Sequence, residues 1–165
     1  MRFGSRLGPV PGIVTTVVLA LAPPALAQLP PDQLDAFGRA TAGLAACPVV
    51  APPRLTPDEM RASAHARAER GTRCAMEGTC EPGGAYRRDP EINEAVREIV
   101  AADKRFATSS VWLTTSRGWV TLQGCVRDKA QRAALVDAVK KIPRVVQVFD
   151  ETRVTRAAAY RARPS

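Results

Sequence analysis

Residues 111–126 have the sequence VWLTTSRGWVTLQGCV, and the pattern of this stretch decides the fold. Apolar and polar residues alternate on both sides of a central Arg-Gly dipeptide, which is typical of two half-buried strands joined by a tight turn. If Ser116 opposes Trp119, then Val111 opposes Gly124. Because a shift of one residue would mix the apolar and polar sets, the pattern predicts a β-hairpin in this register.

The two strands of the predicted hairpin have faces of different character. We expect the aliphatic face to be the core, and it contains Val111, Leu113, Val120, Leu122 and Val126. The opposite face carries the two tryptophans and one cysteine among polar residues: Trp112, Thr114, Trp119, Thr121, Gln123 and Cys125.

Helical patterns flank the hairpin on both sides. The first begins with Asp89 as the predicted N-cap and extends to about Asp103. The second begins with Asp128 as N-cap and ends at Pro143, and a third strand follows over residues 145–154. The predicted fold class is therefore α+β, an α-β-β-α-β two-layer sandwich with two helices on one face of a three-stranded mixed sheet.

Residues 89–154 resemble the BON domain family. The stretch from Gly118 to Val126 corresponds to the family motif G-x-V-x-L-x-G-x-V, in which Gly118 and Gly124 are the two glycines. The resemblance implies a non-catalytic module that binds phospholipid surfaces and supports the integrity of the bacterial envelope. The chain departs from many exported members because it carries a single copy, and Pro143-Arg144 stands where the family commonly has a glycine.

The N-terminus has the features of an exported protein. Arg2 and Arg6 precede an apolar stretch at residues 13–22, which is too short to span a bilayer. Ala25-Leu26-Ala27 then matches the small-x-small pattern of a cleavage site, so we expect a signal peptide at residues 1–27 and a periplasmic product. The alternative is an uncleaved N-terminal anchor.

Residues 28–88, called the lead-in below, are rich in Pro, Ala and Arg and are predicted to be partly helical. One helix is expected over residues 32–46, where Leu34 and Phe37 begin an apolar series at helical spacing. A second is expected from Thr56 as N-cap to Arg70-Gly71. A basic tail, residues 155–165, follows the predicted domain.

Four cysteines lie after the predicted cleavage site: Cys47, Cys74, Cys80 and Cys125. An even number in an oxidising compartment favours two disulfides, and the sequence leaves their pairing open. Zinc binding and free thiols are the alternatives. Since the other three cysteines belong to the lead-in, any disulfide of Cys125 would draw the lead-in across the face that carries the tryptophans.

Two candidate binding features follow from this layout. The first is the pair Trp112 and Trp119, which we expect on the sheet face away from the helices. Three interpretations are open: the lead-in covers this face, the face docks another protein, or it rests at a membrane interface. The second feature is a set of cations that suits an anionic lipid surface: Lys140, Lys141, Arg144, Arg156, Arg161 and Arg163.

The composition also bounds the function. The net charge is +8, and it is spread along the chain rather than concentrated, so we expect no nucleic-acid partner. His65 is the sole histidine and has no catalytic motif around it. We therefore expect no catalytic residue, metal, cofactor or small-molecule substrate, and we expect the partner to be an anionic membrane surface or an envelope protein.

Overall fold

The computed structural model describes residues 33–155 of the chain. The predicted signal peptide and the tail after Thr155 lie outside the described residues. None of the helices in this part of the chain is long and apolar enough to cross a membrane. In chain order the elements are β1 (Ala36–Arg39), α1 (Pro57–Met76), α2 (Asp89–Ala102), a short 3-10 turn (Lys104–Phe106), β2 (Ser110–Ser116), β3 (Trp119–Val126), α3 (Lys129–Lys140) and β4 (Gln147–Val154).

The strands form one mixed sheet in the order β1-β2-β3-β4. β2 and β3 are the antiparallel hairpin, with Ser116 opposite Trp119 and Val111 opposite Gly124, so the predicted register is confirmed. β4 follows α3 and pairs with β3 in parallel.

The prediction of a three-stranded sheet is wrong, because the lead-in contributes a fourth strand. β1 pairs antiparallel with β2, and Phe37 lies opposite Thr114. The helix predicted over residues 32–46 is therefore also wrong. The outer edge of β2 would otherwise present unpaired backbone groups, and β1 satisfies them. Gly38 suits this close packing because a Cβ there would lie 2.4 Å from Cδ of Arg97 on α2.

The core lies between the sheet and the two helices α2 and α3. Each of the aliphatic side chains predicted for the core face of the hairpin is fully buried. Burying a side chain of this size contributes roughly 1.5–3 kcal/mol, so this layer supplies most of the stability of the domain. The buried cluster is Ile92, Val96, Val100, Phe106, Val111, Leu113, Val120, Leu122, Val126, Leu135, Val139, Ile142 and Val148.

The starts of α1 and α3 agree with prediction. Thr56 Oγ1 accepts a 3.3 Å hydrogen bond from the Glu59 amide, and Glu59 Oε2 accepts a 2.8 Å hydrogen bond from the Thr56 amide. Asp128 Oδ1 accepts a 2.7 Å hydrogen bond from the Gln131 amide at the start of α3. α1 extends beyond its predicted end, to Met76.

The start of α2 differs from prediction, because Arg88 and not Asp89 occupies the N-cap position. The buried carboxylate of Asp89 instead accepts 2.8 Å hydrogen bonds from the backbone amides of Arg117 and Gly118. A residue suited to capping its own helix therefore caps the β2–β3 turn.

α1 has no buried residue and is held to the domain by a few specific contacts. Arg67 Nη1 lies 2.7 Å from Oδ1 of Asp35, which directly precedes β1. Further along the helix, a Cβ on Gly84 would lie 3.0 Å from the Cα of Gly71, so two glycines allow the following loop to pack on α1. These contacts fix α1 beside the β2–β3 turn.

Candidate binding surface

The lead-in covers one half of the sheet face that lies away from α2 and α3. A disulfide joins Cys47 to Cys125, and both residues are buried together with Trp112, which is only 5% exposed. Phe37 and Leu44 pack against this cluster. The first of the three interpretations, a folded-back lead-in, therefore describes the surroundings of Trp112.

Backbone and hydroxyl contacts hold the cover in place. The Ser110 hydroxyl donates to the Leu44 carbonyl at 3.0 Å, and its oxygen accepts from the Leu44 amide at 2.9 Å. The Gly43 amide donates to the Ser109 carbonyl at 2.6 Å. Any Cβ at Gly43 would lie 1.9 Å from the Ala107 carbonyl oxygen, so this close approach requires glycine.

The second disulfide closes a short loop at the end of α1. Cys74 and Cys80 are joined, and both are half-buried. Of the pairings that the sequence leaves open, the structure contains the one in which Cys47 bonds Cys125. No free cysteine occurs among residues 33–155.

Within residues 33–155, the other half of the sheet face is left exposed and presents what we call the aromatic patch: Arg117, Trp119 and Phe149. Trp119 is 39% exposed and Phe149 42%. The rings of Trp119 and Phe149 meet edge to face with their centroids 5.6 Å apart, and the Arg117 guanidinium lies 4.2 Å from the Trp119 ring. Large apolar side chains grouped in this way on a surface are typical of an interaction site.

The turn between β2 and β3 sets the position of the patch. Arg117 and Gly118 have φ angles of 58° and 73°, which suit a two-residue turn with both central residues in the left-handed region. The carboxylate of Asp89 fixes this turn. Burial raises the pKa of Asp89, and the hydrogen bonds from the amides of Gly118 and Arg117 offset this only in part.

The predicted cations divide into three groups. Lys140 and Lys141 are exposed at the C-terminal end of α3, and the chain continues from there to the start of β4, beside Trp119. The Arg144 guanidinium is engaged, since its Nε lies 3.3 Å from Oε1 of Glu81. Arg156, Arg161 and Arg163 lie outside the described residues.

Sequence reasoning missed Arg117 and Phe149. The signal for Phe149 is its odd position on β4, which by alternation places it on the same sheet face as Trp119 once the parallel register is known. The sequence indicates only a turn at Arg117, because its stacking on the neighbouring indole depends on a backbone conformation that the sequence does not specify.

Comparison with models of known protein families matches residues 88–156 to the BON domain. A comparison with curated proteins finds no match. The matched segment begins at the N-cap of α2 and extends past the end of β4, so it contains the hairpin and the whole aromatic patch and leaves out residues 28–87 of the lead-in.

Proposed function

Because the chain carries a BON domain at residues 88–156, we propose that it is an exported, non-catalytic module that attaches to anionic phospholipid surfaces of the cell envelope. The BON domain is in general a binding module for phospholipid or hydrophobic partners in envelope proteins. Two disulfides within residues 33–155 fit a protein that folds in an oxidising compartment.

The aromatic patch is the observation that carries this proposal. Tryptophan is favoured at the boundary between lipid headgroups and acyl chains because one end of the indole is apolar and the other is polar. Trp119 and Phe149 support each other at the uncovered end of the sheet, and Arg117 adds a cation directly against the indole. This combination supplies a shallow apolar anchor together with a charge that anionic headgroups attract.

Cations at the same end of the molecule would strengthen the attachment. Lys140 and Lys141 end α3 shortly before the chain enters β4 next to Trp119. Each cation close to an anionic surface contributes about 1 kcal/mol at low ionic strength. With so few apolar anchors, the binding should be weak and should decrease as salt is added.

Co-sedimentation with lipid vesicles tests the proposal. The protein starting at Gln28 is mixed with phosphatidylglycerol-containing vesicles and, separately, with vesicles of phosphatidylcholine alone. We expect binding to the anionic vesicles at low salt and its loss at high salt. Absence of binding, or equal binding to both vesicle types, would refute the proposal.

A matched pair of variants locates the contact. The double change Trp119→Ala with Phe149→Ala removes the apolar anchor and should reduce binding to anionic vesicles by tenfold or more, about 1.4 kcal/mol. Met76→Ala removes a methionine that is 84% exposed on α1, outside the patch, and should leave binding unchanged. Equal effects of the two changes would show that the patch is not the contact.

The alternative function is protein interaction in an envelope assembly. The stacked group Arg117–Trp119–Phe149 favours it, because tryptophan and arginine are enriched among residues that dominate protein interfaces. Because Trp112 is buried beneath the lead-in, Trp119 is the tryptophan to replace in the test. A partner that is captured by the native protein and lost on Trp119→Ala, in a protein that does not bind vesicles, would favour this alternative.

A further inference from the structure

A cleft of about 260 Å³ lies between α1, the lead-in segment near β1 and the β2–β3 turn. Three arginines line it, Arg67, Arg70 and Arg117, and among the described residues of its lining the only acidic side chain is Asp35. Counted over the described residues, the lining carries two more positive than negative charges. Most of the cleft is built by residues outside the matched family domain, so the cleft is a feature of this chain and not of the domain alone.

Arg67 builds the wall of the cleft. Its Nη1 pairs with Asp35 at 2.7 Å, its Nη2 donates to the Leu34 carbonyl at 3.1 Å, and its guanidinium lies 3.8 Å from the Tyr86 ring. These contacts satisfy the charge of Asp35 and fix the position of Arg67. The remaining excess of positive charge therefore comes from Arg70 and Arg117.

Arg70 and Arg117 keep most of their donors available. Arg70 uses Nε for the Ala66 carbonyl at 3.0 Å, and its two terminal nitrogens have no hydrogen-bond partner within residues 33–155. The Arg117 guanidinium stacks on Trp119 and has no ion-pair partner in the same part of the chain. Ser63 and Ser116, which carry hydroxyl groups, also line the cleft.

We propose that this cleft binds a phosphate group. Guanidinium groups present paired N–H donors that match two phosphate oxygens, and hydroxyls can donate to the third. The cleft volume lies below the range usual for drug-sized ligands, so it suits a phosphate with a short substituent such as glycerol rather than a whole lipid.

The position of Arg117 connects the cleft to the aromatic patch. This residue lines the cleft and also stacks on Trp119, so a phosphate bound in the cleft lies next to the proposed lipid contact. A lipid headgroup would therefore bring its phosphate to the cleft. This source of the phosphate rests on the proposed function. A soluble phosphate ester would supply the same chemistry without a membrane.

Titration of the isotope-labelled protein with small probes tests the cleft directly. Glycerol 1-phosphate and inorganic phosphate are each added while the backbone amide resonances are followed by NMR, and glycerol serves as the uncharged control. We expect saturable shifts centred on Ser116 and Arg117 with the two phosphates and none with glycerol. Shifts spread evenly over the surface, or no saturation, would overturn the proposal.

Arg70→Gln is the decisive variant, because Arg70 lines the cleft but is not part of the aromatic patch. It should weaken the binding of glycerol 1-phosphate by tenfold or more. The matched control is Arg73→Gln, three residues along α1, where the side chain is 81% exposed and pairs with Glu77. Equal weakening by the two changes would show a diffuse charge effect and remove the cleft as a site.

The two proposals fail in different ways. If glycerol 1-phosphate binds in an Arg70-dependent manner but vesicles do not bind, the cleft stands with a soluble phosphate as its ligand, and the lipid proposal falls. If anionic vesicles bind and Arg70→Gln changes neither vesicle nor phosphate binding, the lipid proposal stands and the cleft falls.

Discussion

The carboxylate of Asp89 accepts a 2.8 Å hydrogen bond from the backbone amide of Gly118, which connects the first residue of α2 to the turn of the hairpin. Its other oxygen accepts from the amide of Arg117 at the same distance. Arg117 borders both the aromatic patch and the phosphate cleft. One buried acid thus fixes the position of the turn on which both proposed binding sites depend.

The pH dependence of stability should report this acid. Burial raises the pKa of Asp89, and the amide hydrogen bonds lower it by less; among nearby charges Asp35 raises and Arg67 lowers it. In the pH window just above the ordinary carboxyl value, the folded chain then binds more protons at this site than the unfolded chain. Stability contributed by Asp89 must therefore fall as the pH rises through that window.

Asp89→Asn provides the measurement, because the amide cannot titrate. The unfolding free energy of the native protein minus that of the variant should be larger at about pH 4 than at pH 7. Denaturant titrations of both proteins at the two pH values check this. A difference that is constant, or that grows with pH, would contradict the raised pKa.

Removal of the Cys47–Cys125 disulfide should uncover Trp112. The bond spans a sequence separation of 78, and in the chain-entropy model a crosslink of this length stabilises by about 4.5 kcal/mol. The double change Cys47→Ser with Cys125→Ser should lower the unfolding free energy by about this amount and increase acrylamide quenching of Trp112, measured in a Trp119→Phe background.

The second disulfide supplies the control. Cys74 and Cys80 are six residues apart, so replacing both with serine should lower the unfolding free energy by only about 2 kcal/mol and leave the quenching of Trp112 unchanged. If both double changes gave the same quenching, the lead-in would not be the cover of Trp112.

Gly124 should not tolerate a side chain. Its φ is +107°, and a Cβ there would lie 2.2 Å from the Ser110 carbonyl oxygen and 2.9 Å from Cε3 of Trp112. Gly124→Ala should therefore lower the unfolding free energy by at least about 3 kcal/mol, since strained backbone and a clash combine. Gly78→Ala, at φ +68° with open space around it, should lower it by only about 1 kcal/mol, as thermal unfolding would show.

Protection of the free edge of the sheet, which is β4, should depend on Asp150. Its Oδ1 accepts from the Thr152 amide at 2.9 Å, while Arg132 donates to the Asp150 carbonyl at 3.3 Å. The Thr155 amide donates to the Val126 carbonyl, so the backbone groups of residue 155 point toward β3. Because successive residues of a strand point to alternate sides, the amide of Thr152 and the carbonyl of Asp150 point away from β3, and these bonds occupy them. Exposed strand edges with unpaired groups promote association, so these contacts protect the edge.

Asp150→Ala should therefore make the protein associate as its concentration rises, whereas Asp150→Asn keeps an acceptor and should associate less. Glu151→Ala alters the neighbouring residue on the other sheet face and should behave like the native protein. Sedimentation velocity over a concentration series measures all three. A monomeric Asp150→Ala protein would show that the edge is protected by other means.

The hairpin could be predicted because its evidence is local. Strict alternation around a two-residue turn fixes both the register and the buried face, and each aliphatic residue assigned to the core is buried. β1 could not be predicted in this way. The spacing of Leu34 and Phe37 fits a helix, whereas the strand forms because β2 offers an edge more than 70 residues further along the chain. Gly38, inside that series, was a sign against a helix.

The candidate site was predicted in part for the same reason. Alternation placed Trp112 and Trp119 on the outer sheet face, but which of them remains exposed depends on the disulfide pairing, which the sequence leaves open. The cleft could not be predicted, because Arg70 and Arg117 line one cleft only when α1 packs beside the turn. Asp89 likewise has the pattern of a helix N-cap, and only in the tertiary fold does its carboxylate bind the amides of the β2–β3 turn instead.

The covering of Trp112 also determines the smallest piece of this protein that can exist by itself. A fragment limited to residues 88–156 would begin at the helix that precedes the hairpin and would lack β1 and Cys47. It would carry an unpaired reactive thiol, a bare indole and an open strand edge, three features that lead to crosslinked or aggregated material. The autonomous unit therefore includes β1 and Cys47, which lie well before the boundary of the family domain.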